Sequence, residues 1–140
     1  MDTSALVKLY IAEAGRGAVQ SAASKAKALA THAIAYVEFH ATLARLLREQ
    51  QVDETGLREL QSAFSRDWMA FVIIDVVEPL LIRAADLTYR YALRGYDSVH
   101  LAAAEVLLRN QQQDVVFACF DARLNSAAQA AGLALLADNS

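Results

Sequence analysis

The feature that most constrains the fold is a run of β-branched, nearly all apolar residues, FVIIDVV at Phe71–Val77, that lies between long segments of helical periodicity. A run that is apolar on both faces is typical of a strand buried inside a parallel sheet. Shorter apolar runs predict strands at Ala28–Thr31, Val115–Phe120 and Leu133–Ala137. Because strands alternate with helices, the sequence predicts a three-layer α/β/α domain with a central parallel sheet.

Helices are predicted where apolar residues recur at three- and four-residue spacing. Glycines such as Gly15 and Gly132 supply stop signals, and Asp53 is a candidate N-cap. The predicted helices are Ser4–Glu13, Gly17–Lys27, Ile34–Gln51, Thr55–Ala70, Glu78–Leu93, Ser98–Gln111 and Ala122–Ala131. Because the chain has no internal repeat and no linker, we expect a single domain over residues 1–140.

Composition limits the classes of protein to which the chain can belong. Hydrophobic residues make up 56% and charged residues 21%, which is enough apolar side chain for a real core. The net charge of −3 argues against a nucleic-acid binder held by bulk positive charge. The single cysteine, Cys119, excludes a disulfide scaffold, and no apolar run reaches the ~20 residues of a membrane span. We therefore expect a soluble cytoplasmic protein without a membrane segment.

Acidic residues stand at the positions where parallel α/β sheets carry their sites. Asp2 precedes the first helix, Asp97 opens the Ser98 helix, and Asp121 directly follows a predicted strand. Each of them alone is explained by N-capping. Glu38 differs, because it lies in a long helix among apolar neighbours. If all four carboxylates converge, their mutual repulsion requires protons or a cation, and oxygen ligands favour Mg²⁺ or Mn²⁺.

Four stretches of the sequence, in order, resemble the motifs of PIN-domain ribonucleases, specifically of VapC-type toxins. They are DTSALVKLY at Asp2–Tyr10, AYVEFHATLARLLR at Ala35–Arg48, RGYDSVHLAAA at Arg94–Ala104 and VVFACFDARLNSAAQAAGL at Val115–Leu133. Each motif is weak alone, but their order and spacing match over essentially the whole chain.

The resemblance implies a PIN-like fold whose acidic pocket binds Mg²⁺ or Mn²⁺ and hydrolyses phosphodiester bonds in RNA. It also implies a homodimer and a cognate VapB-type antitoxin that blocks the site. By the same resemblance, Asp2 and Asp97 are the main metal ligands, and Glu38 and Asp121 complete the pocket. Ser4 is expected to hydrogen-bond within the pocket and to hold Asp2 or a metal-bound water.

The sequence departs from the family pattern in two places. Members usually have an apolar strand before the first acidic residue, whereas only Met1 precedes Asp2, so we expect a truncated or missing first strand. Cys119 stands where a small hydroxyl residue is more usual. The first departure leaves a non-catalytic PIN-like protein that binds RNA or a partner as an alternative. A haloacid-dehalogenase-like phosphatase is disfavoured, because Ser4 occupies the position of its second aspartate.

Basic and imidazole side chains complete the list of candidates. The arginines nearest to the motif acids are expected to contact RNA phosphates, or else to be solvated: Arg45, Arg48, Arg94 and Arg123. Arg45 follows Glu38 by seven residues, which places it on the same face of the helix about 10 Å along. The histidines have no zinc-type spacing. We expect His100 to pack beside the pocket or to support its ligands.

Overall fold

A computed structural model describes residues 1–110 and 114–137. In chain order the elements are α1 (Thr3–Val7), α2 (Arg16–Lys25), β1 (Ala30–His32), α3 (Ala35–Arg48), α4 (Glu54–Trp68), β2 (Val72–Ile74), α5 (Glu78–Tyr91), α6 (Gly95–Asn110), β3 (Val116–Phe117), α7 (Ala122–Ala130) and β4 (Ala134–Leu135). The predicted α/β class is confirmed. Gln111, the predicted end of one helix, lies outside the described residues.

Within the described residues the strands form two parallel pairs rather than one continuous sheet. Ala30 of β1 is in register with Val72 of β2, and Val116 of β3 is in register with Ala134 of β4. This arrangement confirms the predicted parallel pairing. The strands are shorter than the apolar runs that predicted them, because only the residues that find a partner in register join a ladder.

The two strand pairs are connected through the first two residues of the chain. The Met1 amino group donates to the carbonyl of Ala30 at 2.7 Å, and the Asp2 N–H donates to the carbonyl of Ala118 at 3.0 Å. The Thr31 hydroxyl donates to the Met1 carbonyl. Met1 and Asp2 therefore occupy the position between β1 and β3 and fix the backbone at Asp2 on both sides.

One apolar cluster forms where α1, α3 and α4 meet. Phe39 of α3 stacks on Phe64 of α4 with ring centroids 3.8 Å apart, and Tyr10 meets both rings edge-on. Leu6 of α1 and Leu43 of α3 are almost fully buried in the same cluster. This packing fixes the direction of α3, the helix that carries Glu38.

A second cluster holds α6 against α5 and α7. Its α6 residues include the small Ala102 and Ala103, which allow neighbouring helices to approach closely. Arg83 of α5 forms a two-point ion pair with the buried Glu105 of α6, at 2.7 and 2.8 Å, and Arg109 adds a contact at 3.2 Å. The beginning of α6, which carries Asp97, is therefore part of a rigidly packed helix.

Each helix differs from its predicted bounds by at least one residue, and two of the differences have a clear local cause. The first helix ends at Val7, because Lys8, Leu9 and Tyr10 donate their N–H groups to carbonyls three residues back and the chain turns. The α6 helix begins at Gly95 instead of Ser98, and the Ser98 N–H donates to the Arg94 carbonyl. No helix of the described part of the chain is long and apolar enough to cross a membrane.

Candidate active site

Asp2 is the most firmly held of the predicted site residues. It is 6% exposed and caps α1, where its carboxylate accepts from the Ala5 N–H at 2.9 Å. The Ser4 hydroxyl donates to both Asp2 carboxylate oxygens, at 2.8 and 2.9 Å. The predicted contact between Ser4 and Asp2 is present, and both capping and site roles fit Asp2. The hydrogen bond from its N–H to the Ala118 carbonyl also holds the backbone of Asp2 in place.

Asp121 begins α7 on the segment that runs beside Asp2. Its carboxylate caps the helix by accepting from the Leu124 N–H at 2.9 Å. Just before it, the Phe120 N–H donates to the Ser4 hydroxyl at 3.1 Å. Ser4 therefore connects the Asp2 carboxylate to the chain that carries Asp121.

Cys119 is buried in the same segment. The Asp121 N–H donates to its sulfur at 3.2 Å, so the thiol occupies an acceptor position next to the site. Burial, followed by the negative charge of Asp2, raises the pKa of this thiol well above its usual range. The Cys119 thiol is therefore uncharged at neutral pH.

Asp97 lies in the first turn of α6 and is partly buried. Burial is the largest cause that raises its pKa, and the charges of Asp121 and Asp2 raise it further. Arg94 acts in the opposite direction. Asp97 is therefore near enough to Asp121 and Asp2 for the charge of each to oppose its ionisation.

Glu38 sits apart, in a hydrogen-bonded group with Thr3 and His100. The Thr3 hydroxyl donates to Glu38 Oε2, and His100 Nε2 lies 3.1 Å from the same oxygen. Burial opposes ionisation of Glu38, but the hydrogen bonds from His100 and Thr3 outweigh it and lower its pKa. His32 packs on His100 with ring centroids 4.0 Å apart, and burial followed by the charge of His100 lowers the pKa of His32 to about 3.

The four predicted ligands are therefore divided between two neighbouring groups. Across the described residues, the one group of three or more potential metal ligands whose atoms all lie within 4.8 Å of one another is His32, Glu38 and His100. The three aspartates interact through charge without approaching to this degree. The expected support from His100 is present as its contact with Glu38.

The candidate RNA-contacting arginines are all exposed, in two places. Arg94 lies near Asp97, whose pKa it lowers, and Arg123 donates to the Ala92 carbonyl at 3.1 Å, close to the start of α6. Arg45 lies farther along α3 and pairs with Glu49 at 3.7 Å, and Arg48 ends the same helix.

Two supporting contacts lay beyond the sequence prediction. Thr3 was not predicted to contact Glu38, because the two residues are 35 positions apart and no local pattern links them. Lys8 is almost buried: it pairs with Glu13 at 3.0 Å and lies 4.6 Å from the centre of the Phe120 ring. Lys8 therefore packs against the residue that precedes Asp121.

Comparison with known proteins shows the family to which the chain belongs. The family model for the PIN domain matches residues 1–130. Ribonuclease VapC45 of Mycobacterium tuberculosis (strain CDC 1551 / Oshkosh) and Ribonuclease VapC49 of Mycobacterium tuberculosis (strain ATCC 25618 / H37Rv) are each 32% identical to the chain over 131 residues. The aligned region covers 94% of this chain and 89% of each relative. The chain therefore belongs to the PIN-domain family and, within it, is a relative of the VapC ribonucleases.

Proposed function

We propose that this protein is a Mg²⁺- or Mn²⁺-dependent endoribonuclease, the toxin of a VapBC-type toxin–antitoxin pair, acting on RNA in the cytoplasm. The observation that carries the proposal is the match to the PIN domain over residues 1–130, in a chain whose Asp2, Asp97 and Asp121 stand at or in the first turn of three helices. The names of its relatives, which are ribonucleases, support the choice of RNA as substrate.

The side chains at this place fit a hard divalent cation. The donors that Asp2, Asp97 and Asp121 offer are carboxylate oxygens, which Mg²⁺ and Mn²⁺ prefer over nitrogen or sulfur. The raised pKa of Asp97 indicates that its negative charge is not fully compensated by neighbouring groups. A divalent cation held by the three aspartates, with Glu38 at the edge, would supply that compensation.

The protein's own groups prepare the site before any ion or substrate arrives. The first-turn N–H groups of α1 and α7 hold one oxygen each of Asp2 and Asp121, and Ser4 binds both oxygens of Asp2. This leaves the carboxylates with fixed orientation, which lowers the reorganisation required for catalysis. When bound there, the ion supplies Lewis-acid activation of water and charge stabilisation at the phosphodiester.

RNA is expected to approach across the beginning of α6. Arg94 is exposed beside Asp97, and Arg123 is exposed on α7, so both are placed to bind phosphates near the reacting one. Arg45 and Arg48 at the end of α3 would bind more distant phosphates. A net charge of −3 predicts recognition through such local contacts and RNA shape rather than through bulk attraction.

The protein partners are also part of the proposal. Exposed apolar side chains cluster on and just before α5: Val77, Leu81, Ile82 and Tyr89. We propose that this face contributes to a homodimer, and that a VapB-type antitoxin covers the acidic site. If an Ile82→Asp variant remains dimeric in sedimentation experiments, α5 is not part of the dimer interface.

Cleavage of RNA by the purified protein tests the activity. We expect cleavage with Mg²⁺ or Mn²⁺, loss of cleavage with a chelator, and a decrease of at least about 100-fold in Asp97→Asn. Asp86→Asn, which removes an exposed carboxylate from α5, is the matched control and should cleave normally. Undiminished cleavage by folded Asp97→Asn, or cleavage that survives chelation, would contradict the proposal.

A toxin function requires a second test in cells. Induced expression should arrest growth, and coexpression of the cognate VapB-type antitoxin should restore it. Arrest by Asp97→Asn at the wild-type level would show that toxicity does not depend on the nuclease site. Mapping cleavage ends after induction would identify the RNA.

A further inference from the structure

A cluster of two histidines and one glutamate lies next to the acidic site. His32 at the end of β1, Glu38 on α3 and His100 on α6 come from distant parts of the sequence and place their ligand atoms within 4.8 Å of one another. His32 is 0% exposed and His100 is 5% exposed. Burial of two imidazoles in contact is unusual, because each ring carries two polar nitrogens that require partners.

Three of the four imidazole nitrogens in this group have no hydrogen-bond partner in the described part of the chain. They are both nitrogens of His32 and Nδ1 of His100, whereas His100 Nε2 lies 3.1 Å from Glu38. Leaving a buried polar group without a partner costs about 1–3 kcal/mol. A water molecule or a metal ion would satisfy such nitrogens, and the neighbouring carboxylate makes a cation the better match.

The distances suit a small cation with nitrogen and oxygen ligands. Tetrahedral zinc bonds of about 2.0–2.1 Å place neighbouring ligand atoms roughly 3.3 Å apart. The His100–Glu38 separation of 3.1 Å is already close to this value, and a ligand atom of His32 lies within 4.8 Å of both. Both histidines border a cavity of about 690 Å³ whose walls include residues of β1 and β3.

We propose that His32, Glu38 and His100 form a second metal site that binds a borderline divalent cation of the Zn²⁺ class. Two imidazoles and one carboxylate, with a water at the fourth position, are a typical zinc donor set, whereas Mg²⁺ prefers oxygen ligands alone. The site differs in chemistry from the aspartate group and shares no aspartate with it. It does not depend on ribonuclease activity, although Glu38 stands between the two groups.

The wild-type protein itself provides the first test, because the chain has only three histidines. We expect one equivalent of Zn²⁺ to shift the ring signals of two histidines in nitrogen-detected NMR spectra and to leave the third unchanged. His40→Gln, which removes the third histidine, identifies the unaffected signal. Shifts of none of the rings, or of His40 alone, would overturn the proposal, and waters would then be the partners of the buried nitrogens.

Variants separate this site from the aspartate group. In Zn²⁺ calorimetry, and with Co²⁺ as the coloured probe, His32→Asn and His100→Asn should weaken binding at least about 10-fold, whereas His40→Gln should bind as wild type. Asp97→Asn should keep its Zn²⁺ affinity even where it loses RNA cleavage. Zinc affinity that falls with Asp97→Asn and not with His32→Asn would assign the ion to the aspartates and refute the second site. Circular dichroism verifies that each variant is folded, and the NMR test remains decisive if a histidine variant does not fold.

Discussion

Gly15 offers a sharp test of how the fold positions the acidic segment. Its backbone has φ of +85°, a left-handed conformation, and a Cβ added there would lie 2.3 Å from Cε1 and 2.7 Å from Cζ of the Phe120 ring. Phe120 precedes Asp121 and donates its N–H to Ser4. Gly15→Ala should therefore force the ring to move and disturb the segment that carries Asp121.

The expected loss of unfolding free energy in Gly15→Ala can be estimated by comparison with a second glycine. Gly132 has almost the same conformation, with φ of +88°, but an added Cβ would meet no atom within 4 Å. Gly132→Ala should thus report the backbone cost alone, about 1 kcal/mol. Gly15→Ala carries the same cost plus about 1–2 kcal/mol for displacing Phe120, giving a total of about 2–3 kcal/mol.

Urea unfolding of the two variants measures the free energies, and RNA cleavage measures the consequence for the site. We expect Gly15→Ala to be the less stable variant and to lose cleavage at temperatures where it is still folded. Gly132→Ala should cleave like the wild type under the same conditions. Equal destabilisation of the two variants, or equal cleavage, would refute the argument that Gly15 makes room for Phe120 and so positions Asp121.

Three further predictions concern charge and packing. Arg94→Ala should raise KM for RNA about 10-fold, because it removes a proposed phosphate contact. It should also move the acidic limb of the pH–rate profile to higher pH, because Arg94 lowers the pKa of Asp97. An unchanged profile in cleavage assays at several pH values would contradict this. Phe64→Ala should cost about 4 kcal/mol in urea unfolding, since Phe64 is 0% exposed, whereas Met69→Ala, at 85% exposure, should cost almost nothing. Glu105→Gln should cost about 2 kcal/mol at pH 7, because the buried Glu105 is bound by Arg83. The ion pair lowers the pKa of Glu105 below its ordinary 4.5. Its contribution to the free energy of unfolding is therefore present above that pH and is lost as pH falls through the lowered value. A difference in unfolding free energy between variant and wild type that persists at the lowest pH would be inconsistent with this origin.

The helices were predictable because their signals are local. The pattern of Ile34–Gln51 depends on neighbours three and four residues apart, and the structure has α3 at Ala35–Arg48. Strand lengths were not predictable in the same way. The run Phe71–Val77 is nearly all apolar, but only Val72–Ile74 pairs, because β1 supplies three residues in register.

The same contrast between local and long-range signals applies to the residues of the candidate site. The aspartates stand at helix beginnings, so their positions along the chain were enough to single them out. The hydrogen-bond partners of Glu38 could not be predicted from the sequence, because Thr3 and His100 are 35 and 62 residues away from it. His32 was set aside as a ligand because the histidines have no zinc-type spacing along the chain, whereas the fold places its ring against that of His100. Contacts between separate elements require the packing of the helices, which no local pattern contains.

Binding of Mn²⁺ to the purified protein tests the central claim most directly, since it asks whether the aspartates hold a divalent cation without requiring the correct RNA. In titrations followed by the electron paramagnetic resonance signal of free Mn²⁺, the wild type and Asp86→Asn should bind the ion with equal affinity. Asp97→Asn should bind at least about 10-fold more weakly, while His32→Asn should remain close to the wild type. Equal Mn²⁺ affinity in Asp97→Asn and the wild type would contradict the account.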